Sequence, residues 1–457
     1  MKRIFRLMVL MAIMLLIAGR GLGRTMAQGG DCGSATSINP PTHCVLGGNE
    51  FVYTQNSQLF PTLSDAIIAA DSLALITGRA CVRIAAGTYN ELVELPGIKN
   101  VTIYGNIGSR PLIYGRLSFA DFQNVEIYNI DWNGSVLQNR TPGLFFIEGQ
   151  GLDLRGTTVS HASGYGVVFI RSSSAQISNN VVDDSGANKS GSGIGVLQSS
   201  VVNVVDNYVC RSGFEGIEID SSDDVNVLDN HTLDNCDCGI GVSDLTTRCI
   251  PFPGYGNGCG IEPICSHLPV GVVIQGNTTT QNCSCGIGSD GASGIIIADN
   301  TISNNGASCT CQYPTGASQM GIYVITSTNI DVHSNTISGH SCAGIVVNKS
   351  IGGLVDIDNN VTGPHPRVLG LSIGVIFPDS TPGHIFHDLS TPSAANCTDP
   401  FIGCGGWDSA YNPNSPDQRY KACCTCGTPM AMPTSTAGLG SPTSTPFPSC
   451  DPTRSTP

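Results

Sequence analysis

The feature that most constrains the fold is a repeat of about 23 residues built from two short strand motifs. One motif opens with glycine and reads Gly-[Ile/Val]-x-[Ile/Val], as in "GIEI" from Gly216 and "GIYV" from Gly321. The other reads [Val/Ile]-x-[Val/Ile]-x-x-Asn and ends at a recurring asparagine, as at Asn207 and Asn230. A fixed period with two or three short strands predicts a solenoid, in which each repeat is one turn that stacks on the next.

The alternation inside each motif points Val and Ile side chains into a shared core. The asparagine that ends the second motif can then bond its counterpart one turn away. This pattern predicts a right-handed parallel β-helix, since the six-residue period of left-handed helices and the leucine framework of leucine-rich repeats are both absent. The asparagines that we expect in this ladder are Asn180, Asn207, Asn230, Asn277, Asn300, Asn335 and Asn360, with Asn106 and Asn129 as earlier members.

The start of the repeat region resembles the pectin-lyase-like superfamily of right-handed parallel β-helices. The stretch "FPTLSDAIIAADS" is similar to the helix that caps such solenoids, with Thr62 as N-cap and one apolar face. The following "CVRIAAGTYNELVELPGIKNVTIYGN" resembles the first turns of pectin methylesterases. The resemblance covers roughly residues 60–375 and implies an all-β solenoid with an N-terminal capping helix and disulfide-rich insertions. The residues that we expect on the buried helix face are Leu63, Ala66, Ile67 and Ala70.

The catalytic motifs of that superfamily are incomplete in this chain. The paired aspartates, glutamines and arginine of pectin methylesterases are missing, and Asp223-Asp224 and Gly339-His340 are isolated partial matches to polygalacturonases. Pectate lyases need a basic residue beside Ca²⁺-binding carboxylates, but residues 156–360 hold only five basic residues against eighteen acidic ones. A polyuronate lyase and a pectin esterase are therefore disfavoured.

The N-terminus predicts export. Three basic residues precede an apolar run from Leu7 to Gly19, and small residues surround Ala27, so we predict a signal peptide over residues 1–27. The run of thirteen residues is too short to span a bilayer comfortably, and a retained membrane anchor is the alternative. After cleavage we expect no integral membrane span.

Charge narrows the range of partners. Removing residues 1–27 takes away five basic and no acidic residues, which changes the formal net charge from −14 to −19. Such a field repels nucleic acid, anionic lipid and polyuronates unless cations bridge them. We therefore expect no nucleic-acid partner and favour a neutral or weakly charged extracellular polysaccharide; the oligomeric state stays open.

Twenty cysteines in an exported chain predict disulfide bonds. The segments "NCDCGIG" (235–241) and "NCSCGIG" (282–288) occupy the same corner of adjacent turns. Turns stacked about 4.8 Å apart bring such cysteines within disulfide range. We predict a vertical bridge, Cys236 to Cys283 or Cys238 to Cys285, in preference to a Cys₄ zinc site.

Two carboxylates stand out because they do not recur. Glu218 and Asp220 alternate with core-facing isoleucines, so they project outward from one strand, about 7 Å apart at the backbone. That separation suits the acid and the base of an inverting glycosidase, with glycines beside Glu218 leaving a shallow slot. Charged residues that only solvate the surface are the alternative. Asp206 and Asp229 do recur, which favours turn chemistry, with Ca²⁺ binding by the stacked pair as the alternative.

An insertion follows one turn beyond Glu218. The distance from Gly239 to Asn277 exceeds the usual spacing by 24 residues, which places an insertion at about residues 245–268. Loops on a rigid scaffold are common binding sites, and Phe252 and Tyr255 could stack on sugar rings. A disulfide-pinned loop without function is the alternative.

These features predict a secreted β-helix protein that binds or hydrolyses an extracellular polysaccharide. The competing hypothesis is a non-catalytic surface or adhesion scaffold; metal delivery lacks the Met and His clusters that it would need. The predicted organisation is a signal peptide at 1–27, a lead-in segment at 28–60, the β-helix at 61–388, a Cys-rich segment at 389–430 and a Pro/Ser/Thr-rich tail at 431–457.

Overall fold

The computed structural model describes only part of the chain. The described residues are 32, 35–39, 43–44, 49–55, 57–138, 140–186, 191–243, 267–306, 320–340, 343–355, 359–362, 368–376 and 386–388. All of them belong to a compact unit that begins at Cys32. The predicted signal peptide, Cys-rich segment and tail lie outside these residues. Within them, no helix combines the length and apolar composition needed to cross a membrane.

The strands form three faces, which we call A, B and C in the order in which the chain visits them in each turn. Face A contains β8 (Leu144–Ile147), β11 (Val167–Ile170), β14 (Ile194–Leu197), β17 (Ile217–Asp220), β20 (Ile240–Ser243), β23 (Cys285–Asp290), β26 (Met320–Ile325) and β32 (Phe386–Asp388). Face B contains β1 (Glu50–Tyr53), β2 (Ala80–Ile84), β4 (Val101–Gly105), β6 (Gln123–Tyr128), β9 (Gln150–Arg155), β12 (Ser173–Ser178), β15 (Ser200–Val205), β18 (Asp223–Leu228), β21 (Val273–Gln275), β24 (Ile296–Ala298) and β27 (Thr328–His333).

Face C contains β7 (Asp131–Asn133), β10 (Thr158–Ser160), β13 (Val181–Asp183), β16 (Tyr208–Cys210), β19 (His231–Leu233), β22 (Thr278–Thr280), β25 (Thr301–Ser303), β28 (Thr336–Ser338) and β30 (Asn360–Thr362). Four longer strands turn a corner and join two faces: β3 (Thr88–Pro96), β5 (Leu112–Ala120), β29 (Ala343–Val355) and β31 (Val368–Ile376). Every strand pairs in parallel with the matching strand of the next turn, so the predicted right-handed parallel β-helix is confirmed.

The core follows from the alternation in the two motifs. Ile217 pairs with Ile194 on one side and Ile240 on the other, and all three are fully buried. Each buried Val or Ile contributes about 1.5–3 kcal/mol relative to an exposed one. Because every turn adds the same inward positions, the result is one continuous hydrophobic cluster from Tyr53 to Val361.

The predicted capping helix is confirmed as α1, Leu63–Thr77. The Thr62 hydroxyl accepts from the Asp65 backbone N–H, and the Asp65 carboxylate accepts from the Thr62 backbone N–H, which completes a capping box. The helix ends at Gly78, whose φ of 82° is left-handed. The four residues predicted for its buried face, Leu63, Ala66, Ile67 and Ala70, are all fully buried against the first turns.

The asparagine ladder runs inside the corner between faces B and C. Each Nδ2 donates to the next Oδ1 at 2.8–3.0 Å, from Asn180 to Asn359. Two expected members were wrong by one position. Asn359 is the ladder residue and Asn360 starts β30, while Asn129 occupies the left-handed residue before the ladder position, which Ile130 fills.

A second, shorter stack lies inside the corner between faces C and A. Asn235 donates to Asn282 at 2.8 Å, and Asn282 donates to Asn305 at 2.9 Å. His340 continues this stack, because its Nε2 bonds the Ile302 carbonyl at 3.3 Å as the asparagine amides bond theirs. Burial lowers the pKa of His340, so its Gly-His motif serves the core.

The predicted vertical disulfide is confirmed between Cys238 and Cys285, and Cys236 and Cys283 are also disulfide-bonded. Two further disulfides were not predicted. Cys32 bonds Cys210, 178 residues away, and Cys44 bonds Cys81. The expected disulfides of the insertions lie outside the described residues.

These two disulfides fix the ends of an N-terminal strap, the described residues between Cys32 and Cys44. Midway along it, the Ile38 N–H donates to Asn129 Oδ1 at 2.8 Å, and Asn129 Nδ2 donates back to the Ile38 carbonyl at 2.6 Å. The half-buried Arg110 guanidinium donates to the Ala35 carbonyl at 2.8 Å. The strap therefore crosses the outside of several turns between the two faces B and C.

Candidate functional site

The structure places Glu218 and Asp220 on β17, on the outward side of face A. As expected, Glu218 lies between Gly195 and Gly241 of the neighbouring turns, and Asp220 lies between Leu197 and Ser243. Both carboxylates are nevertheless buried, each with only 1% of its surface exposed. Outward orientation on a strand did not lead to solvent exposure here.

The shallow slot expected beside Glu218 is filled, so that expectation was wrong. A Cβ at Gly195 would lie 2.7 Å from the Tyr165 ring, and a Cβ at Gly241 would lie 2.8 Å from Cγ of Glu215. These two side chains occupy the space that the glycines leave. A sugar ring would have to displace them to reach Glu218.

Hydroxyl groups bind both carboxylates. The Ser192 hydroxyl contacts Glu218 Oε2 and lies 3.1 Å from Glu215 Oε2, so the two glutamates share one hydroxyl. The Ser243 hydroxyl donates to Asp220 Oδ1. Such bonds reduce the cost of burying carboxylates. The acid and base roles of Glu218 and Asp220 stay a prediction.

Asp206 and Asp229 lie at the left-handed residue before the ladder asparagine, with φ values of 55° and 54°. Asn, Asp and Gly tolerate this backbone region best, which explains why the position recurs as Asn179, Asp299 and Gly276. Asp229 Oδ1 lies over Gly276 of the next turn, where a Cβ would approach it to 2.3 Å. Binding of Ca²⁺ by this pair stays a prediction.

One cluster with metal-ligand chemistry occurs in the described residues, namely His43, Cys44 and Cys81. Because the two cysteines form a disulfide, they are not thiolate ligands, and the cluster does not fit a metal site.

Phe252 and Tyr255 lie outside the described residues, as does most of the insertion. Its root is described: face A ends at Ser243, and the chain returns to face B where Val270 bridges Asp223. Asp223 Oδ1 accepts from the Val270 N–H at 3.0 Å and lies 3.2 Å from His267 Nε2. The insertion thus leaves from the corner between faces A and B.

A groove that the sequence analysis missed runs along this same corner, with a volume of about 570 Å³. We call it the corner groove. It spans five turns and reaches within one turn of Asp223 at the insertion root. Its lining residues are Lys99, Asp121, Phe122, Gln123, Glu148, Gly149, Gln150, Arg171, Ser172, Ser173, Gln198 and Ser200.

Backbone conformation explains the polar lining. The corner residue of each turn is left-handed, as at Glu148, Arg171 and Gln198, with φ between 46° and 55°. The next residue points inward, and there the Ser172 N–H donates to the Ser199 hydroxyl at 3.2 Å. The corner residue itself is left outside the core, and its identity changes from turn to turn.

The groove offers amide groups for binding. Gln123, Gln150 and Gln198 make no side-chain hydrogen bond with any described residue, and the first two are exposed. Each amide carries two donors and an acceptor. Arg171 and Glu148, the corner residues of adjacent turns, pair with each other at 2.8 Å, with roughly half of each side chain exposed. Comparing the corner residues across repeats would have indicated this groove, because they are polar but do not recur.

A second polar cluster lies on the outside of face B, beside a depression of about 420 Å³. Tyr128 donates to Asp153 at 2.9 Å, and Arg155 also binds Asp153. Burial raises the pKa of Asp153, an effect that Arg155 and Tyr128 oppose. Arg79 binds Glu126 in the same cluster. Because these groups already satisfy one another, we interpret the cluster as structural.

Comparison with solved structures shows the fold. Mannuronan C-5 epimerase AlgE6 A-module from Azotobacter vinelandii matches with a TM-score of 0.55 and 15% identity, over 70% of this chain and 90% of the other. The surface adhesin PfbA of Streptococcus pneumoniae matches with a TM-score of 0.40 and 14% identity, over 68% and 86%. The Dettilon tailspike protein matches with a TM-score of 0.41 and 17% identity, over 68% and 67%.

A search of curated proteins found no match. The family model described as right-handed beta helix region matches residues 113–250 and 254–364, which together make up more than half of the chain. The protein therefore belongs to the right-handed β-helix family.

Proposed function

We propose that this protein is exported and binds an extracellular polysaccharide on the outside of its β-helix. The observation that carries the proposal is the corner groove, a polar channel on a rigid scaffold whose glutamine amides bind no side chain or backbone group among the described residues. Sugar hydroxyls are recognised by such side-chain amides. The root of the insertion that carries Phe252 and Tyr255 lies at the same corner, which would supply aromatic contacts beside the polar ones.

Export agrees with the eight disulfide-bonded cysteines of the described residues, because disulfide bonds form in an oxidising compartment. These cysteines lie at both ends of the strap and in the stacked turns. The epimerase named above acts on mannuronan, a polysaccharide. At 15% identity, this epimerase is evidence for a shared fold only.

The first test is binding of the purified chain to a panel of immobilised neutral and acidic polysaccharides, with and without Ca²⁺. We expect retention on at least one polysaccharide, weakened by Phe252→Ala and Tyr255→Ala. A Ca²⁺ requirement that Asp206→Asn or Asp229→Asn removes would support the metal site. Absence of retention on the whole panel would refute the proposal.

The hydrolase version requires a second measurement, since Glu218 and Asp220 are buried. New reducing ends, lost in both Glu218→Gln and Asp220→Asn, would support hydrolysis by these residues. Retention without any product would instead support the non-catalytic adhesion scaffold. Unsaturated uronate in the product would show a lyase and contradict the charge argument.

A further inference from the structure

We infer that the corner groove binds a neutral, unbranched glycan that lies parallel to the axis of the solenoid, with Gln123, Gln150 and Gln198 as its main contacts. This inference rests on the proposed function and names its site, orientation and substrate class. It places binding away from Glu218 and Asp220, at the edge of face A and not on its surface.

The direction of the chain follows from the position of the glutamines. Gln123 and Gln150 pair as equivalent residues of adjacent turns at the start of β6 and β9, and Gln198 lies at the corner two turns beyond Gln150. Adjacent turns are about 4.8 Å apart, so the contacts extend over roughly 14 Å along the axis. A linear glycan presents one sugar ring at a similar interval, which gives each turn one ring to contact.

The charge of the groove selects the class of glycan. Its lining contains Lys99 and Arg171 against Asp121 and Glu148, so it is formally neutral although the whole chain carries −14. Glu148 already neutralises Arg171 at 2.8 Å. A uronate chain would be repelled by the Asp121 and Glu148 carboxylates and would have to break the Glu148–Arg171 ion pair to bind. Sugar hydroxyl groups carry no charge, so a neutral chain meets neither cost.

The shape of the groove favours an unbranched chain. The Phe122 ring fills the space beside Gly149, where a Cβ would lie 2.2 Å from it, and closes the floor. The lateral walls are the corner side chains of successive turns, such as Glu148 and Arg171. The groove continues over five turns along the axis, which suits a polymer more than a small sugar.

The experiment is isothermal titration calorimetry. The purified full chain is titrated with neutral unbranched oligosaccharides and, separately, with oligouronates of the same length. We expect binding of a neutral series, with affinity unchanged between about 0.05 and 0.5 M salt because no ion pairs form. Gln123→Ala, Gln150→Ala and Gln198→Ala should each weaken binding about five- to tenfold, as loss of a hydrogen bond predicts.

Matched controls come from glutamines elsewhere on the solenoid. Gln176→Ala changes an outward residue of face B, as Gln150→Ala does at the groove, and Gln281→Ala changes a left-handed corner residue, as Gln198→Ala does. Both controls should bind like the unchanged chain, and thermal unfolding should be the same for each matched pair.

Two outcomes would overturn the inference and leave the proposed function intact. One is binding of oligouronates that weakens with salt, which would refute the neutral class. The other is binding of any polysaccharide that the three groove variants do not change, which would refute the site. If no oligosaccharide and no polysaccharide on the panel binds, the proposed function fails and the inference fails with it.

Discussion

Two corners of the solenoid share a backbone conformation but differ in their side chains: the B–C corner, between faces B and C, and the A–B corner, between faces A and B. In several turns of each, a left-handed residue is followed by a polar residue that points inward, asparagine at the B–C corner and serine at the A–B corner. At the B–C corner the left-handed position is mostly Asn, Asp or Gly, and an asparagine ladder follows it. At the A–B corner the left-handed residue changes from Glu148 to Arg171 to Gln198. Recurrence therefore marks residues that hold the solenoid together, and variation at the A–B corner marks the groove residues for which we propose a ligand.

The largest effect should come from breaking the ladder. Asn230→Ala removes the acceptor for both the backbone N–H and the Nδ2 of Asn207, at 2.9 and 3.0 Å. The buried N–H is left without a partner, and Nδ2 keeps only its bond to the Ile177 carbonyl. We expect the free energy of unfolding to fall by about 3–5 kcal/mol, measured by urea denaturation.

The control for that variant lies on the same turn. Asn226→Ala removes a bond of similar length, from Asn226 Nδ2 to Asn203 Oδ1 at 2.9 Å, but on the half-buried outside of face B. We expect a loss of at most about 1 kcal/mol. Equal losses for Asn226→Ala and Asn230→Ala would mean that burial of the ladder adds nothing.

A smaller effect should appear at the C–A corner, where His340 replaces an asparagine. Burial lowers the pKa of His340 below its usual 6.5, so the unfolded chain takes up a proton more readily than the folded one. Stability from this group is present above pH 6.5 and is lost as the pH falls below it. His340→Asn should restore an asparagine stack and remove this acid-dependent loss, in unfolding curves at about pH 7.5 and about pH 5.

His43 supplies the comparison for this test, because its pKa is also lowered mainly by burial while its side chain is more exposed. His43→Gln should remove a smaller part of the acid loss. If the free energy of unfolding of His340→Asn fell by the same amount between these two pH values as that of the unchanged chain, protonation of His340 would not cause the loss of stability in acid.

The next effect is a gain in stability beside the groove. Val201 is 52% exposed and has a left-handed φ of 56°, which is unfavourable for a β-branched residue. Gly151 and Gly271 occupy the same position in other turns. Val201→Gly should raise the free energy of unfolding by about 1 kcal/mol in urea denaturation. Val205→Gly, at an ordinary position of the same strand, should lower it.

The smallest effect should come from the groove itself. Gln150→Ala removes an exposed amide that binds no described residue, so the free energy of unfolding should change by less than about 0.5 kcal/mol. This change should be measured beside that of Asn230→Ala. A loss of more than about 2 kcal/mol would assign Gln150 to the scaffold and remove the contrast between the corners.

Local patterns were enough to predict the scaffold. Each signal lies within a few residues of the structure that it predicts. These signals are the alternation of Val and Ile, the asparagine that ends each second motif and the Thr62 cap. The ladder was misplaced at Asn129 and Asn360 because asparagine suits both the left-handed residue and the ladder residue that follows it. The stacked disulfide was predictable since the repeat aligns Cys238 with Cys285.

The environment of the candidate site depends on contacts between turns that no local pattern encodes. The alternation places Glu218 outward, but its burial involves Tyr165, from the loop before β11 two turns away, and Glu215, from the loop before β17 itself. The strap was missed for the same reason, because Cys32 and Cys210 are 178 residues apart. The corner groove needed knowledge of which residue in each turn is left-handed.

The strap also sets an order of events during synthesis of the chain. Cys32 emerges first, and its partner Cys210 follows 178 residues later, a delay of roughly 10–30 s at common rates of translation. Cys44 and Cys81 appear within that interval and offer Cys32 wrong partners. The Cys32–Cys210 disulfide can form correctly only after the turn that carries Cys210 has been synthesised and has folded. The first turns must therefore be stable without this bond. A chain that contains the bond has folded at least as far as the turn of Cys210.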